Sequence, residues 1–594
     1  MPAQWIVRQP SPEFEIVQLL EATGLPRELA HLLALRGVTS AGEAAAFLAP
    51  GLDSLHEPLL LKGMKEALDL LVAVQNRGEP VAVIGDYDVD GLTATALLLG
   101  VFQAVGLTAH GILPNRHAGG YGPQLEHVQQ ADALGCRLLV TADCGIQAQA
   151  AITAARLRGM QVIVTDHHLP GETPLDGAVV INPRQDGCTY PFRDLAGVGL
   201  ALKLGAALLQ RFGREVPWPA LCRISCLGTI SDAAPLVGEN RVLASLGLAA
   251  LADTPSVGMR ALFAEAEVTA PISAHDVGFR IGPRLNAAGR LGAADPALEL
   301  LLTRDPARAK ALAAELGRRN TERRVLEKQV VDDCAARYSG KHLPGVLVGW
   351  SADWNRGVVG IAAGRLARLF HRPALLFAVE DGVAVGSGRS VPGIDLHEFL
   401  RPWVDRLERF GGHAQAVGLT TSVAALDVLA GEWERAAEAW PAERLTPAFE
   451  YDLRLTMAEV TPGLLERLAR LEPFGVGNPE PVFAFGPCRR AGTARTFGGG
   501  HIGFMARGCA EPSGDAADQG ESADGGGGGG NGANGANGAT PSVEVVAWQW
   551  AERAAASGLF DGVFEMLAVV ELDRYRNRPR LRLVDGRPVA PRTN

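Results

Sequence analysis

From residue 80 onward, short apolar runs rich in β-branched residues alternate with stretches of helical character. PVAVIG (80–85) is followed by the helical TATALLLGVFQAV, and CRLLVTADCG (136–145), QVIVTDHH (161–168) and GAVVINP (177–183) repeat the strand signal. Continuous apolar strands separated by helices predict a parallel sheet covered on both faces. Polar residues arrive at the C-terminal end of each run, the edge where open α/β sheets bind ligands.

The stretch 296–343 is rich in Ala, Leu, Arg and Glu and predicts one long helix joining two lobes. A smaller α/β unit follows at 344–446, with GVLVGW, the helical VVGIAAGRLARLF, PALLFAV and GVAVGSGRS. The last unit, 447–594, is β-rich, with VEVVAWQW, FEMLAVVEL and RLRLV as strands. Residues 509–542 interrupt it with Gly, Asn, Ala, Ser and Asp, a composition that buries no apolar surface and predicts a disordered insertion. Residues 1–75 form an N-terminal helical segment, and 76–295 hold the parallel sheet.

A chain of 594 residues needs several cores, since one domain takes roughly 100–200 residues. No apolar run reaches the roughly 18 residues of a membrane span, and MPAQWIVRQPSPEFEI lacks a basic segment followed by an apolar one, so neither a membrane anchor nor a secretory signal is expected. The 8 cysteines are scattered without paired CxxC spacing, which argues against a zinc ribbon or disulfide framework and fits a reducing cytoplasm. The net charge of −10 does not exclude nucleic acid, because acidic metal ligands contribute to it and local positive charge decides DNA binding. Residues 304–328 and the Arg-rich ELDRYRNRPRLRLVDGRPVAPR are such local clusters, or else solvated surfaces.

The strongest chemical signal is GDYDVDG (85–91), which sets Asp86, Asp88 and Asp90 at alternating positions between a strand and a helix. One of them suits a helix cap, but three repel one another unless cations sit among them. An EF-hand loop needs Glu at the twelfth position, which here is Leu97, and is rejected. Asp143 in VTADCG, Asp166-His167-His168 in VTDHHLP and Asp232 in LGTISDAAPL repeat the acidic strand-end or turn context. Adjacent histidines point in different directions, so one can ligate metal while the other faces substrate. Carboxylates with an imidazole suit Mn²⁺ or Mg²⁺ rather than thiolate-bound zinc.

GDYDVDG, TADCG, TDHH and SDAAPL resemble, in order, the motifs of the DHH phosphoesterase superfamily. PNRHAGGYG (114–122), VINPR (180–184), GPRLNAAGRL (282–291), WNRGVVGIAAGRL (354–366), GSGRS (386–390), FGGHAQAVGL (410–419) and FGVGNPEPVF (474–483) extend the resemblance to its RecJ branch over about residues 75–485. The resemblance implies a DHH catalytic domain, a DHHA1 substrate-binding domain and a C-terminal OB-like domain. It implies a single-stranded-DNA-specific 5′-to-3′ exonuclease of recombination and repair, using two divalent ions to release 5′-mononucleotides. Asp88, Asp90, Asp143, His167 and Asp232 become metal ligands, with Asp143 bridging; Asp86 matches the motif too, as a ligand or as the residue that orders the loop. His168 lies beside the scissile phosphate as polariser or proton donor.

By the same resemblance Arg116, Arg284, Asn286 and Arg290 contact the DNA backbone, the last three from a Gly-rich loop. Ser387 and Arg389 offer a 5′-phosphate pocket, and His413 of GGH belongs to the substrate-binding motif. Phe483, Phe485, Phe504, Trp548, Trp550 and Tyr575 are the aromatics available for base stacking. Single-strand-binding protein and a RecQ-type helicase are the partners the family implies. Two positions depart from the pattern: Gly119 stands where an acidic residue is usual, and Asn355 where His is usual. A DHH-type oligoribonuclease or cyclic-dinucleotide phosphodiesterase shares the metal motifs but is shorter, and a non-catalytic DHH-fold replication scaffold would lack metal ligands.

Overall fold

Five short segments made almost wholly of apolar residues form the sheet of the first lobe: β1 (Val81–Gly85), β2 (Ala109–Ile112), β3 (Leu138–Ala142), β4 (Gln161–Thr165) and β5 (Val179–Ile181). In the computed structural model, which describes residues 3–10, 15–114, 122–338, 343–509 and 541–589, all neighbouring pairs are parallel and the order is β2-β1-β3-β4-β5. β1 and β3 are buried along their whole length, as a sheet covered on both faces requires. One face packs on helices that include α1 (Val89–Ala104) and α2 (Gly197–Arg211), the other on Val128, Ala131, Ile152 and Ala155. The strand order reverses between β1 and β3, the switch point at which such sheets open a crevice. Asp86 follows one of these strands and Asp143 the other.

The predicted connecting helix exists but is broken. A short helix ends at Leu302, and α3 (Pro306–Tyr338) then runs for 33 residues. Its first half buries Ala309, Leu312, Ala313 and Leu316 in the first lobe, and its second half buries Val330, Val331 and Cys334 under the second. The second lobe is a mixed sheet of β6 (Leu347–Ser351), β7 (Ala374–Glu380), β8 (Val383–Arg389), β9 (Arg409–His413) and β10 (Ala416–Ser422), in the order β9-β10-β8-β7-β6. Only β6 and β7 are parallel. The helix α4 (Val359–Phe370) covers one face, while the helix carrying the fully buried Trp433 covers the other.

The chain divides into two compact units. One comprises Pro50–Pro447 and Pro473–Asn478, the other Ala3–Ala49, Ala448–Glu472 and Pro479–Asn594. The 1–75 segment is therefore divided between the units, and Gln4–Val7 pairs in parallel with Ala448–Tyr451. In the second unit β11 (Leu453–Arg454), β12 (Phe483–Phe497), β13 (His501–Gly508), β14 (Ser542–Ala547), β15 (Val563–Asp573) and β16 (Arg578–Pro588) form a sheet that closes through β12–β15 pairing. This is the expected OB-like barrel. The Gly-rich insertion lies almost wholly outside the described residues, between β13 and β14.

One buried ion pair fixes α2 in place. Lys203, 1% exposed, donates to Glu239 and to the His56 carbonyl oxygen at 2.7 Å. Glu239 also accepts from Tyr190 Oη at 2.7 Å and the His56 amide at 2.8 Å. Burial pulls the lysine pKa below its ordinary value, against the pull of Glu239. Removing one partner of such a pair strands the other charge in a dry interior. Lys203→Met is therefore expected to cost about 3–5 kcal/mol, read as a lower denaturant midpoint; Lys203→Met with Glu239→Gln should recover part of the loss. An unchanged midpoint for the single variant would contradict this role.

Candidate metal centre

The acidic side chains come from the ends of strands and helices and from the first turn of α1. Asp88 is the N-cap of α1 and accepts from the Gly91 amide at 3.1 Å, so the capping reading holds for one of its oxygens. Asp90, in the first turn of the same helix, is 1% exposed. It accepts from the Gly197 and Val198 amides at 2.7 and 2.8 Å, which are the first amides of α2. Asp143 takes a left-handed backbone, φ 64°, a region that Asp tolerates better than most residues. Its amide donates to the Thr165 carbonyl at the end of β4, and this bond sets the β3 loop against the His167 loop. Asp232 is the C-cap of Trp218–Ser231.

These groups converge. His167 Nε2 lies 3.1 Å from Asp143 Oδ1, 3.9 Å from Asp232 Oδ2 and 4.0 Å from Asp90 Oδ2. Three sets of donor atoms each fall within 4.8 Å: Asp86, Asp88 and Asp143; Asp90, His167 and Asp232; Asp143, His167 and His168. Asp143 and His167 each belong to two sets, so the three sets are adjacent. Glycine permits the approach: a Cβ on Gly197 would lie 2.5 Å from Asp143 Cβ and Oδ1, and one on Gly228 would lie 2.7 Å from Asp90 Oδ1.

The electrostatics state the same need. Burial, then the charges of neighbouring carboxylates, pushes Asp90 and Asp143 well above the ordinary range, and burial with Asp88 raises Asp232 to about 7. Burial lowers His167 to about 4, keeping it neutral and able to ligate. Divalent cations remove the repulsion that raises those carboxylates. The donors are oxygens and an imidazole nitrogen. The nearby Cys144 thiol instead donates to the Ile84 carbonyl at 3.5 Å. The set therefore fits Mn²⁺ or Mg²⁺.

His168 belongs to one of these sets but is also held from the side by Asp166. Its Nδ1 lies 2.7 Å from Asp166 Oδ1, and its ring is 44% exposed. Asp166 is fully buried and also accepts from the His168 and Ile146 amides. Burial alone would lower His168, but the Asp166 hydrogen bond and charge, with Asp232 and Asp86, raise it. Burial would raise Asp166, but the His168 hydrogen bond holds it below its ordinary value. Asp166 is thus a positioning residue that sequence reading placed in the motif without assigning it a task. The signal was there: a carboxylate two residues before the exposed histidine.

A cleft of about 350 Å³ opens over the site, lined by His167, His168, Arg184, Asp194, Asp232 and His413 among others. His413 of β9 is among the residues that line this cleft. Residues 473–478 brace the wall containing Asp232, since Leu236 N donates to the Val476 carbonyl at 2.7 Å. Among the described residues, Arg284, Asn286, Arg290, Ser387 and Arg389 do not line this cleft. Residues 282–291 are a helix preceded by a π-helical turn, not the Gly-rich loop expected. Arg284 donates to the Arg280 and Glu265 carbonyls, and Asn286 accepts from the Val89 amide at 3.2 Å, bracing the start of α1. Arg290 Nη1 lies 3.5 Å from the Gly357 carbonyl. Ser387 and Arg389 share one face of β8 beneath Gly360 of α4, where a Cβ would lie 3.2 Å from Ser387 Oγ and 3.5 Å from Arg389 Nη2. Arg116 and Gly119 lie outside the described residues. Asn355 Oδ1 accepts from the Gly357 amide at 2.7 Å, a turn-forming bond. Of the aromatics, Phe483, Phe485, Phe504 and Trp550 are buried core side chains of the second unit, while Trp548 is 45% and Tyr575 95% exposed.

Sheet order, switch-point location and a shared carboxylate–imidazole cluster together define a metal-dependent phosphoesterase centre of the DHH type. The DHH family N-terminal domain matches residues 80–229, the DHHA1 domain 343–438 and the RecJ OB domain 451–511. The chain is 37% identical over 514 residues to the single-stranded-DNA-specific exonuclease RecJ of Dickeya dadantii, covering 80% of this chain and 85% of that protein. It is 35% identical over 483 residues to RecJ of Bacillus subtilis, covering 80% of this chain and 61% of that longer relative. The crystal structure of RecJ in complex with Mn²⁺ from Thermus thermophilus superposes with TM-score 0.80 at 30% identity, covering 99% of this chain and 80% of that one. The chain belongs to the RecJ family.

Gly197→Ala is expected to drive a methyl group into Asp143 and weaken Mn²⁺ binding by tenfold or more, measured calorimetrically. Unaltered affinity would show that the approach of α2 to Asp143 is not needed.

Proposed function

We propose that the chain is a single-stranded-DNA-specific exonuclease that degrades from the 5′ end and releases 5′-mononucleotides in recombination and repair. The single observation that carries the chemistry is the convergence of Asp86, Asp88, Asp90, Asp143, His167 and Asp232 on two donor sets that a third set, Asp143 with His167 and His168, links. The relatives named as single-stranded-DNA-specific exonucleases support the substrate, and polarity follows from the family resemblance.

Asp88, Asp90, Asp143, His167 and Asp232, with Asp86 beside them, would hold two divalent ions. When bound, the ions stabilise the attacking and departing oxygens and lower the pKa of water. The protein's own part is to fix these donors and to manage protons. Asp90 is held by two amides, so its carboxylate stays aimed at the cluster. Asp166 raises the proton affinity of His168 through Nδ1, and the His168 ring lines the cleft. There it polarises the scissile phosphate and gives its proton to the departing 3′ oxygen as the P–O bond breaks. His413, which lines the same cleft, would hold the substrate.

Arg116, Arg284, Asn286 and Arg290 would contribute through the DNA backbone, and Ser387 with Arg389 through the 5′ phosphate. Family resemblance supports these roles. It also supports single-strand-binding protein and a RecQ-type helicase as partners that present single strands. No helix among the described residues is long and apolar enough to cross a membrane. A reducing cytoplasm suits the 8 free thiols.

End-labelled digestion tests the assignment: with Mn²⁺ or Mg²⁺, 5′-tagged single strands should lose label as mononucleotide first, and blunt duplex should persist. Loss from the 3′ end would overturn it. His168→Ala should lower kcat by about 10²–10⁴ while calorimetric Mn²⁺ binding persists; loss of both would place His168 among the ligands instead.

A further inference from the structure

One cation in the cleft wall has no role in the chemistry described above. Arg184 lines the cleft beside His168, Asp232 and His413, and among the described residues that line it, it is the only Lys or Arg. Its guanidinium is fixed along one edge. Nε donates to the Arg193 carbonyl at 3.3 Å, and Nη2 donates to Asp194 Oδ1 at 2.8 Å. The Arg184 side chain is 32% exposed.

The backbone beneath it is tied to the reacting histidine. Asn182, fully buried, accepts from the Arg184 amide at 2.7 Å through Oδ1 and donates to the His168 carbonyl at 2.9 Å through Nδ2. One amide side chain thus sets Arg184 and His168 in register. A planar guanidinium anchored on one edge is pre-organised to offer its remaining donors to phosphate oxygens. It also offsets the negative charge that Asp194 and Asp232 present to a polyanion entering the cleft.

We propose that Arg184 is a positioning residue that holds the phosphodiester neighbouring the one being cleaved, so that the scissile phosphate is registered against His168. The proposal rests on the nuclease reading above. Its substrate group is an internal phosphodiester of a nucleic-acid strand, not a free terminal phosphate.

Arg184→Gln in the full chain separates the possibilities, with oligothymidylate and the p-nitrophenyl ester of thymidine 5′-monophosphate as substrates. The ester has one phosphodiester and no neighbour. With Mn²⁺, the variant should lose at least tenfold more kcat/KM on the oligonucleotide than on the ester, mainly through KM. With Ca²⁺ in place of Mn²⁺, oligonucleotide affinity measured by anisotropy should show a salt slope smaller by about 0.7. Mn²⁺ affinity and melting temperature should stay at wild-type values. Equal losses on both substrates, an unchanged KM and salt slope, or a fall in Mn²⁺ affinity or melting temperature would each overturn the proposal. If the wild-type protein degrades neither substrate, the nuclease reading itself fails, an outcome distinct from all of these.

Discussion

Carboxylates that crowd a buried pocket repel one another, and this repulsion is what the rest of the first unit is built to hold in check. Asp86, Asp88, Asp90, Asp143 and Asp232 bring their oxygens within a few ångströms of one another or of His167. Protons can relieve such crowding only by surrendering the charge, whereas divalent cations relieve it and turn it into catalytic charge. The surrounding structure is therefore arranged to stop these side chains from swinging apart. The first amides of α2 clamp Asp90, the β4 carbonyl fixes the Asp143 loop, and glycines at 197 and 228 let helices approach the acids.

The fold explains why such distant residues meet. The reversal of strand order between β1 and β3 splays their loops around a crevice, and the loop after β4 closes its third side. α2 depends in turn on Lys203 and Glu239, so a buried ion pair outside the site bears on the aim of Asp90. α3 shares apolar contacts with both lobes. This couples the sheet carrying the acids to the sheet carrying His413.

Much of this was legible in the sequence because the acids sit at the ends of contiguous apolar runs, where local pattern and position coincide. All four strands read from pattern are present, and the edge strand Ala109–Ile112 joins them. What stayed hidden depends on residues far apart in the chain. Nothing near Gln4 announces that it pairs with Ala448. Nothing in GPRLNAAGRL distinguishes a loop from a helix whose Arg284 donates to backbone carbonyls. Aromatic residues of the barrel could not all be sorted into core and surface by alternation, because Trp548, Trp550 and Tyr575 lie outside the strands. Asp166 and Arg184 lay inside recognised motifs, but only side-chain geometry shows which histidine and which wall of the cleft they serve.

Two cations sharing Asp143 are the proposed centre on which the chemistry turns. Crystals grown with Mn²⁺ and measured at the manganese absorption edge would test this most directly. The expected result is two anomalous peaks, about 3.5–4 Å apart, both in contact with the Asp143 carboxylate and one with His167. A single peak, or peaks that leave Asp143 unbound, would contradict it.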